Sequence, residues 1–450
     1  MKKRFAICST IVLLLLLSAC GAPQTLDFSY APEGEELSSL MVETSQPHRA
    51  ELEHVPSAAD FADAISDDPA SAGLLSESEV ESLLRGHAAM ETVSKEQAQS
   101  DVSLLFRALQ SAYGAYEYFG QEKFDAAEDA VTQWLSSQDD EIKVSALGEK
   151  LQESLVFMLA HDAHAVIYEP AAEEIEAQVR YEYFFADGFY FSKNVNGSYY
   201  MVNDGERWTL SSFSDEHVSV QPTLLQDGRI VYQPTLFALR KDAVQSSVTL
   251  KKSSGKAKIY RLDWTESQPL DVDLGTLDYR LIQEDGLTYV SLRSLVSGTY
   301  DNMLARYARE GAKARGSKAV IYDLRGNVGG SDSWPRKWIQ SFLGTQNSIE
   351  TSMLYAQKNS ALFAAENSES LLPEDEGTCF AREVHGTWYE NDIPIIVLVD
   401  DHCGSSGEGA VQLLKTLDNV LIVGSNTAGY QLCGNISTFT LPYTCLLYTS

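Results

Sequence analysis

The C-terminal part of this 450-residue sequence predicts an α/β domain with a largely parallel sheet. Three short apolar segments, 319–324, 395–399 and 420–423, have the length and composition of buried strands. A helical pattern lies between the last two, and a strand-like segment at 288–292 followed by a helical pattern precedes the first. Short apolar strands that alternate with helices are typical of parallel sheets covered by helices. We place this domain at residues 280–450.

The N-terminus has the features of an export signal. Residues 2–4 are basic, and residues 11–17 form an apolar run that is too short to span a bilayer. Small residues then precede Cys20, a pattern that resembles the lipobox of bacterial lipoproteins. The resemblance implies removal of residues 1–19, diacylation of Cys20 and a membrane-anchored protein that faces away from the cytoplasm. The alternative is an ordinary secreted protein in which this cysteine is incidental.

Two regions of different character follow the signal. Residues 21–76 are acidic, contain Pro and Ser, and have few aromatic residues, which predicts a flexible tether. Residues 77–170 predict a helical region, because capping-box patterns at Ser76 and Ser94 precede apolar residues at helical spacing. A further amphipathic helix is expected over 147–159, and it leads into His161-Asp162-Ala163-His164.

Residues 175–270 predict a β-rich module. The segment is rich in Tyr, Phe and Val, and two apolar stretches flank Ser253-Ser254-Gly255 in the manner of a β-hairpin. The segment has no carboxylate-binding loop signature, and a PDZ-like fold is one interpretation of this module.

Composition narrows the range of partners. The net charge is −30, with 64 acidic and 34 basic residues, which makes nucleic acid an unsuitable partner. No cofactor is implied, and no cysteine or histidine spacing matches a metal site. Four cysteines remain after the signal and its anchor, in a compartment where disulfides can persist; they are Cys379, Cys403, Cys433 and Cys445.

A first motif follows the strand at 319–324. It reads Asp323-Leu324-Arg325-Gly326-Asn327-Val328-Gly329-Gly330. The two final glycines allow a tight turn and a close approach of the backbone to a ligand. A glycine pair after a strand is also common in ordinary turns. The order of residues excludes a phosphate-binding P-loop.

A second motif, Asp401-His402-Cys403-Gly404-Ser405-Ser406-Gly407-Glu408, joins the strand at 395–399 to a helix. A serine at such a junction has its hydroxyl beside free backbone N–H groups, and the helix dipole there favours negative charge. Acyl transfer needs this arrangement, because its tetrahedral intermediate carries an oxyanion. The alternative is that Ser405 or Ser406 merely caps the helix.

Taken together, the two motifs resemble serine peptidases of the S41, or tail-specific, family. The positions that match the family pattern are Arg325, Asn327, Gly329, Gly330, Ser405, Glu408, Thr427 and Gly429. The resemblance implies a crotonase- or ClpP-like α/β core with Ser405 as nucleophile. It also implies an oxyanion hole formed by the N–H groups of Gly330 and Ser406, with Gly329 shaping the loop.

The sequence departs from this family at the general base. Processing members place a lysine directly after the glycine that matches Gly429, and this chain has Tyr430 there. A phenol with a reference pKa of ~10 is a poor base near neutrality. The tricorn-like branch uses histidine instead, and Asp162-Ala163-His164 resembles its Asp-x-His motif. We therefore predict His164 as the base, ahead of His161 and His402, although a histidine at a helix end can also serve the helix dipole.

The resemblance implies an endopeptidase that acts outside the cytoplasm on extended peptides or proteins bound by strand addition. The alternative is a catalytically silent lipoprotein of S41 type that binds peptides or envelope components. An acyl-CoA enzyme on a crotonase-like core is disfavoured by export. Residues 445–450 differ from what the family pattern leads us to expect there. We therefore expect a truncated core with an open sheet edge.

Overall fold

A computed structural model describes residues 37–65, 67–86, 90–168, 181–203, 205–225, 227–239, 246–266, 279–298, 301–434 and 438–449. The chain forms two compact units. Of the described residues, one unit contains 37–39 and those between 182 and 266, and the other contains those between 40 and 181 and between 279 and 449. The predicted signal segment and the lipidation site Cys20 lie outside the described residues. No described helix has the length and apolar character needed to cross a bilayer.

The first described element is a helix inside the predicted tether. Helix α1 spans Leu37–Glu53, and the carboxylate of Glu51 lies 2.9 Å from the ammonium of Lys415. The side chain of Leu52 is buried, and its carbonyl accepts a hydrogen bond from the hydroxyl of Ser352. The tether prediction is therefore wrong for residues 37–53. The average composition of residues 21–76 does not indicate the few apolar side chains that this helix buries.

The following region is helical, as the sequence predicts. Both capping boxes form, because Ser76 and Ser94 accept hydrogen bonds from the backbone N–H groups of Glu79 and Gln97. The helices are α2 (Glu77–Leu84), α3 (Lys95–Ala112), α4 (Tyr116–Phe119), α5 (Gln121–Ser137), α6 (Val144–Ser154) and α7 (Val156–Leu159). Short strands β1 (Thr92–Ser94) and β2 (Glu141–Lys143) pair with each other in antiparallel fashion. The predicted helix over 147–159 is thus divided at Leu155, and His164 lies just before strand β3 (Val166–Tyr168).

The β-rich module consists of two antiparallel sheets. Its strands are β4 (Glu182–Ala186), β5 (Ser192–Lys193), β6 (Tyr199–Asn203), β7 (Glu206–Phe213), β8 (Val218–Leu224), β9 (Ile230–Ala238), β10 (Ser247–Lys251), β11 (Ala257–Arg261) and β12 (Trp264–Glu266). The sheet orders are β11-β10-β7-β6-β5 and β12-β4-β9-β8. The predicted hairpin around Ser253-Ser254-Gly255 is the β10–β11 pair. Among its described residues the module contains strands and no helix, and its PDZ-like character stays a prediction.

The C-terminal domain contains the predicted parallel sheet, in the order β13-β14-β15-β18-β19. The five strands are β13 (Arg280–Glu284), β14 (Leu287–Ser291), β15 (Ala319–Asp323), β18 (Ile395–Val399) and β19 (Val420–Gly424). All neighbouring pairs are parallel except β13–β14. Helices α8 (Asp301–Ala314), α9 (Ser333–Leu343) and α11 (Ser406–Leu414) contribute buried apolar side chains to the core of this sheet. Since β15 and β18 are adjacent and parallel, the motifs that follow them lie at the same sheet edge.

The remaining elements complete this unit. Strands β16 (Met353–Lys358) and β17 (Cys379–Val384) form a hairpin, with helix α10 (Ala361–Glu366) between them. Strand β21 (Leu447–Thr449) pairs with β20 (Thr438–Thr440) and with β3. Strand β21 is thus the middle strand of a separate sheet, whereas β19 ends the parallel sheet among the described residues, and the truncated core stays a prediction. The side chains of Leu446 and Tyr448 are buried in the apolar core of the helical region.

Candidate active site

Ser405 occupies a strained turn between β18 and α11. Its backbone has φ 51° and ψ −122°, a region that residues other than glycine rarely adopt. Helix α11 starts at Ser406, yet the Ser405 side chain makes no capping hydrogen bond. The capping alternative is therefore wrong for Ser405. Its partly exposed hydroxyl is not used to stabilise the helix, and strain of this kind is often found at catalytic positions.

The glycine-rich loop after β15 packs directly against this turn. A Cβ atom on Gly329, where φ is +98°, would lie 2.7 Å from the Cβ of Ser405. Asn327 is fully buried and holds the loop, because its side-chain oxygen accepts from the N–H of Gly329 and its carbonyl accepts from the N–H of Gly404. The two motifs that the sequence singled out therefore meet in space.

Two backbone amides face no competing acceptor in this region. Neither the N–H of Gly330 nor that of Ser406 donates a hydrogen bond to any residue that the structure describes. The Ser406 amide is at the first turn of α11, where such groups lack partners within the helix. Gly330 is held by a parallel bridge to Leu295, whose backbone would collide with any Cβ at this position.

Arg325 stabilises the start of the glycine-rich loop. Its guanidinium donates two hydrogen bonds, of 3.0 and 2.9 Å, to the carboxylate of Asp323. Burial favours a raised pKa for Asp323, but hydrogen bonds from Arg325, Arg293 and Tyr289 outweigh it and lower the pKa to about 2. Asp323 is thus charged at neutral pH, and Arg325 acts here as a structural partner.

Glu408 holds the segment that contains Tyr430. One carboxylate oxygen accepts from the hydroxyl of Thr427 at 2.6 Å and from the N–H of Gly429 at 2.7 Å. The other accepts from the N–H of Tyr430 at 2.8 Å. Because Glu408 is buried in α11 directly after the serine turn, these bonds fix the Tyr430 backbone relative to Ser405.

Tyr430 contacts both His164 and the residue before the serine. The ring centroids of Tyr430 and His164 are 4.4 Å apart, with the planes at 71°. A Cβ on Gly404 would lie 2.6 Å from Cδ2 of Tyr430, so the close approach of this ring requires glycine there. The structure brings His164 to Tyr430, but the Ser405 hydroxyl makes no hydrogen bond with His164.

The side chain of Tyr113 helps to hold the Asp162-Ala163-His164 segment in place. Asp162 is fully buried; its carboxylate accepts from the N–H of His164 at 3.0 Å and from the hydroxyl of Tyr113 at 3.0 Å. Burial lowers the pKa of His164, whereas Asp162, a hydrogen bond with the backbone of Cys433 and the charge of Glu408 act in the opposite direction. The imidazole is therefore neutral at pH 7, which is the form that a general base requires.

The other predicted histidines lie in different surroundings. The ring of His161 packs against Tyr181, with 5.2 Å between centroids. Nδ1 of His402 is 3.5 Å from the carboxylate of Asp401. One possible metal-ligand atom from each of Asp400, Asp401 and His402 lies within 4.8 Å of the other two. The Asp400 carboxylate already accepts from the N–H groups of Gly326 and His402, so this cluster holds the loop together.

Sequence reasoning missed three residues of this region, namely Tyr113, Leu295 and Gly404. Each acts through a contact with a residue far away in the chain, and no local pattern signals such a contact. The four cysteines that lie in the described region form no disulfide with one another.

Residues 286–446 match the sequence model for peptidase family S41. This match lies within the C-terminal α/β domain and assigns that domain to the family. The protein is thus a serine-type peptidase, and the α/β core is the S41 domain that the motifs predicted. No curated protein gives a significant match to the sequence.

Similar solved structures include three with low sequence identity to this S41 chain. Mature CPAF is 13% identical, with a TM-score of 0.40, and the match covers 79% of this chain and 88% of CPAF. The photosystem II D1 C-terminal processing protease is 13% identical, with a TM-score of 0.32 and coverages of 78% and 86%. A lipoprotein from Streptococcus agalactiae is 14% identical, with a TM-score of 0.30 and coverages of 81% and 86%. The family assignment rests on the sequence match and its motifs.

Proposed function

We propose that this S41 peptidase is an endopeptidase that cleaves extended peptides or proteins outside the cytoplasm, with Ser405 as its nucleophile. The observation that carries the proposal is the strained Ser405 turn, whose hydroxyl caps no helix and which packs on Gly329. The Ser405 oxygen attacks the scissile carbonyl, and a tetrahedral intermediate forms. The N–H groups of Gly330 and Ser406 then stabilise its oxyanion.

His164 accepts the proton of Ser405 in this proposal. Support comes from its lowered pKa and from its link to the serine turn through the Tyr430 ring. The Ser405 hydroxyl and the imidazole are not hydrogen-bonded in the free enzyme, so substrate binding must bring them together, directly or through a water molecule. Asp162 orients the segment through the N–H of His164.

A fluorophosphonate probe tests the nucleophile, because it reacts covalently only with an activated serine. We expect labelling of the full chain at Ser405, complete loss of labelling and cleavage in Ser405→Ala, and retained labelling in Ser406→Ala. Ser405→Ala should melt within a few degrees of the unmodified protein, since its side chain caps no helix. A folded Ser405→Ala protein that still reacts with the probe would refute this assignment.

One observation favours a second function, a silent peptide-binding protein. The Tyr430 ring contacts Gly404 in the position where processing members carry their lysine base. A folded chain that binds peptides reversibly and never reacts with the probe would establish this alternative and exclude the endopeptidase.

We also propose that lipid anchoring through Cys20 holds the peptidase at the membrane, facing away from the cytoplasm. It rests on the basic, apolar and small-residue order of the first 20 residues. Radiolabelled palmitate supplied to a bacterial host should label the chain but not Cys20→Ser. Equal labelling of both proteins would exclude the anchor.

A further inference from the structure

A groove with a cavity volume of about 690 Å³ lies between α8 and α9. Gly311 of α8 lets the two helices approach closely, because a Cβ there would collide with the carbonyl of Trp338. Small side chains of α8, including Ala308 and Ala312, and the ring of Trp334 give the groove an apolar lining. None of the lining residues belongs to the Ser405 site.

The charge of this groove is opposite to that of the protein. The chain carries 64 acidic and 34 basic residues, yet the lining contains Arg309, Arg315 and Lys337 and no acidic residue. Arg315 is fixed, since it donates to the carbonyls of Phe342 and Ser341.

The two other cations are available to a partner. Arg309 and Lys337 are exposed, and neither forms an ion pair with a described residue. The Lys337 ammonium lies 4.5 Å from the centroid of the Trp334 ring, which places a cation beside an aromatic surface. The nearest acid of α8, Glu310, instead binds Tyr279, Arg306 and Lys313.

A complementary surface exists elsewhere on the same chain, in the turn before β17. Leu372 is 57% exposed, and the acidic residues Glu374 and Asp375 follow it on the surface. The turn is held in shape, because the N–H of Asp375 donates to the carbonyl of Leu372 and the Thr378 hydroxyl donates to the carbonyl of Asp375. An exposed leucine beside two carboxylates therefore protrudes from a fixed loop.

We propose that the α8–α9 groove binds the Leu372–Asp375 turn of a second copy of this chain. Leu372 contacts the alanine and tryptophan lining, while Glu374 and Asp375 pair with Arg309 and Lys337. Groove and turn are different surfaces, so the contact is head to tail and each chain offers one groove and one turn. The turn combines an apolar side chain with two carboxylates, and this matches a groove that combines an apolar lining with two exposed cations.

Sedimentation velocity of the full chain at low and high salt tests this proposal. We expect association that increases with protein concentration and weakens at least tenfold when salt is raised from about 50 to 500 mM, because exposed ion pairs are screened. Arg309→Glu/Lys337→Glu and Glu374→Lys/Asp375→Lys should each abolish it. Mixing these two variants should restore association, because the reversed charges are again complementary. Lys256→Glu, an exposed reversal elsewhere, should associate like the unmodified chain.

Several outcomes would overturn the proposal. They are a chain that stays monomeric at every concentration and salt, reversal variants that associate like the unmodified chain, and a mixture of the two variants that stays dissociated. Binding of the groove to phosphatidylglycerol vesicles, lost in Arg309→Glu/Lys337→Glu without any self-association, would assign the groove to a membrane surface instead.

Discussion

The ring of Tyr430 stands edge-on to the imidazole of His164, with 4.4 Å between their centroids. The same ring packs on Gly404, the residue before the proposed nucleophile. Tyr430 thus stands at the sequence position where processing members carry a lysine base, and its ring packs against His164. The contact depends on the aromatic ring, and it gives the phenol hydroxyl no necessary part in proton transfer.

We therefore expect Tyr430→Phe to retain kcat/KM for a peptide substrate within about threefold. His164→Ala should lose about 10²- to 10⁴-fold, the usual contribution of a general base. His161→Ala is the matched control and should remain active, because its ring packs on Tyr181. Full activity of His164→Ala would remove His164 from the mechanism, whereas loss of activity in Tyr430→Phe would assign proton chemistry to the phenol hydroxyl.

Gly329→Ala should strongly slow the reaction at Ser405. The added Cβ would lie 2.7 Å from the serine Cβ, on a backbone with φ of +98° that alanine rarely adopts. Displacement of the loop carries Gly330 with it, so we expect fluorophosphonate labelling to fall about 100-fold, comparable to loss of one oxyanion donor. Gly316→Ala is the control, since a Cβ there meets no atom within 4 Å. Equal labelling of both variants would contradict the oxyanion assignment.

Glu408→Gln should destabilise the protein and slow its chemistry. A glutamine amide places a donor where the carboxylate accepts from Thr427, Gly429 or Tyr430, and leaves a partly buried donor unsatisfied. The free energy of unfolding should drop by about 1–3 kcal/mol in urea titrations. The exposed Glu149→Gln should change it by less than about 0.5 kcal/mol. Equal stability of the two variants would show that Glu408 does not order the Tyr430 segment.

Acid should weaken the attachment of α1 through His48. Burial and, to a smaller extent, the charge of Lys415 lower the pKa of His48 from 6.5 to about 4, although the charge of Glu51 acts in the opposite direction. Between these pH values the unfolded chain binds a proton that the folded chain excludes, so stability decreases as pH falls from 6.5 towards 4. The lowered pKa of His164 acts with the same sign.

Urea unfolding at pH 7 and pH 5 measures this effect. The loss of stability between the two values should be smaller in His48→Gln than in the unmodified chain. His217→Gln, at an exposed position, serves as the control and should keep the full loss. An unchanged pH dependence in His48→Gln would show that His48 does not contribute.

Sequence reasoning found the features that local chemistry determines. Ser94 accepts from Gln97 three residues away, and the glycine loop and the serine turn follow adjacent parallel strands, so each could be predicted from short segments. The contacts of Gly404 with Tyr430 and of Gly330 with Leu295 join distant segments and carry no local signal. Helix α1 was not predicted for the same reason, because it contacts residues that lie much later in the chain. The carbonyl of Leu52, for example, accepts a hydrogen bond from Ser352.

The pairing of β21 with β3 sets an order of events during biosynthesis. Asp101 accepts hydrogen bonds from the backbone and hydroxyl of Thr444, 343 residues later, and β21 pairs with the strand that follows His164. A nascent chain therefore exposes its helical core until residues 444–449 have been synthesised. Contacts over such sequence separations form late and slow folding. The segment that carries the proposed base is consequently among the last to become fixed, and catalytic competence follows synthesis of residues 444–449.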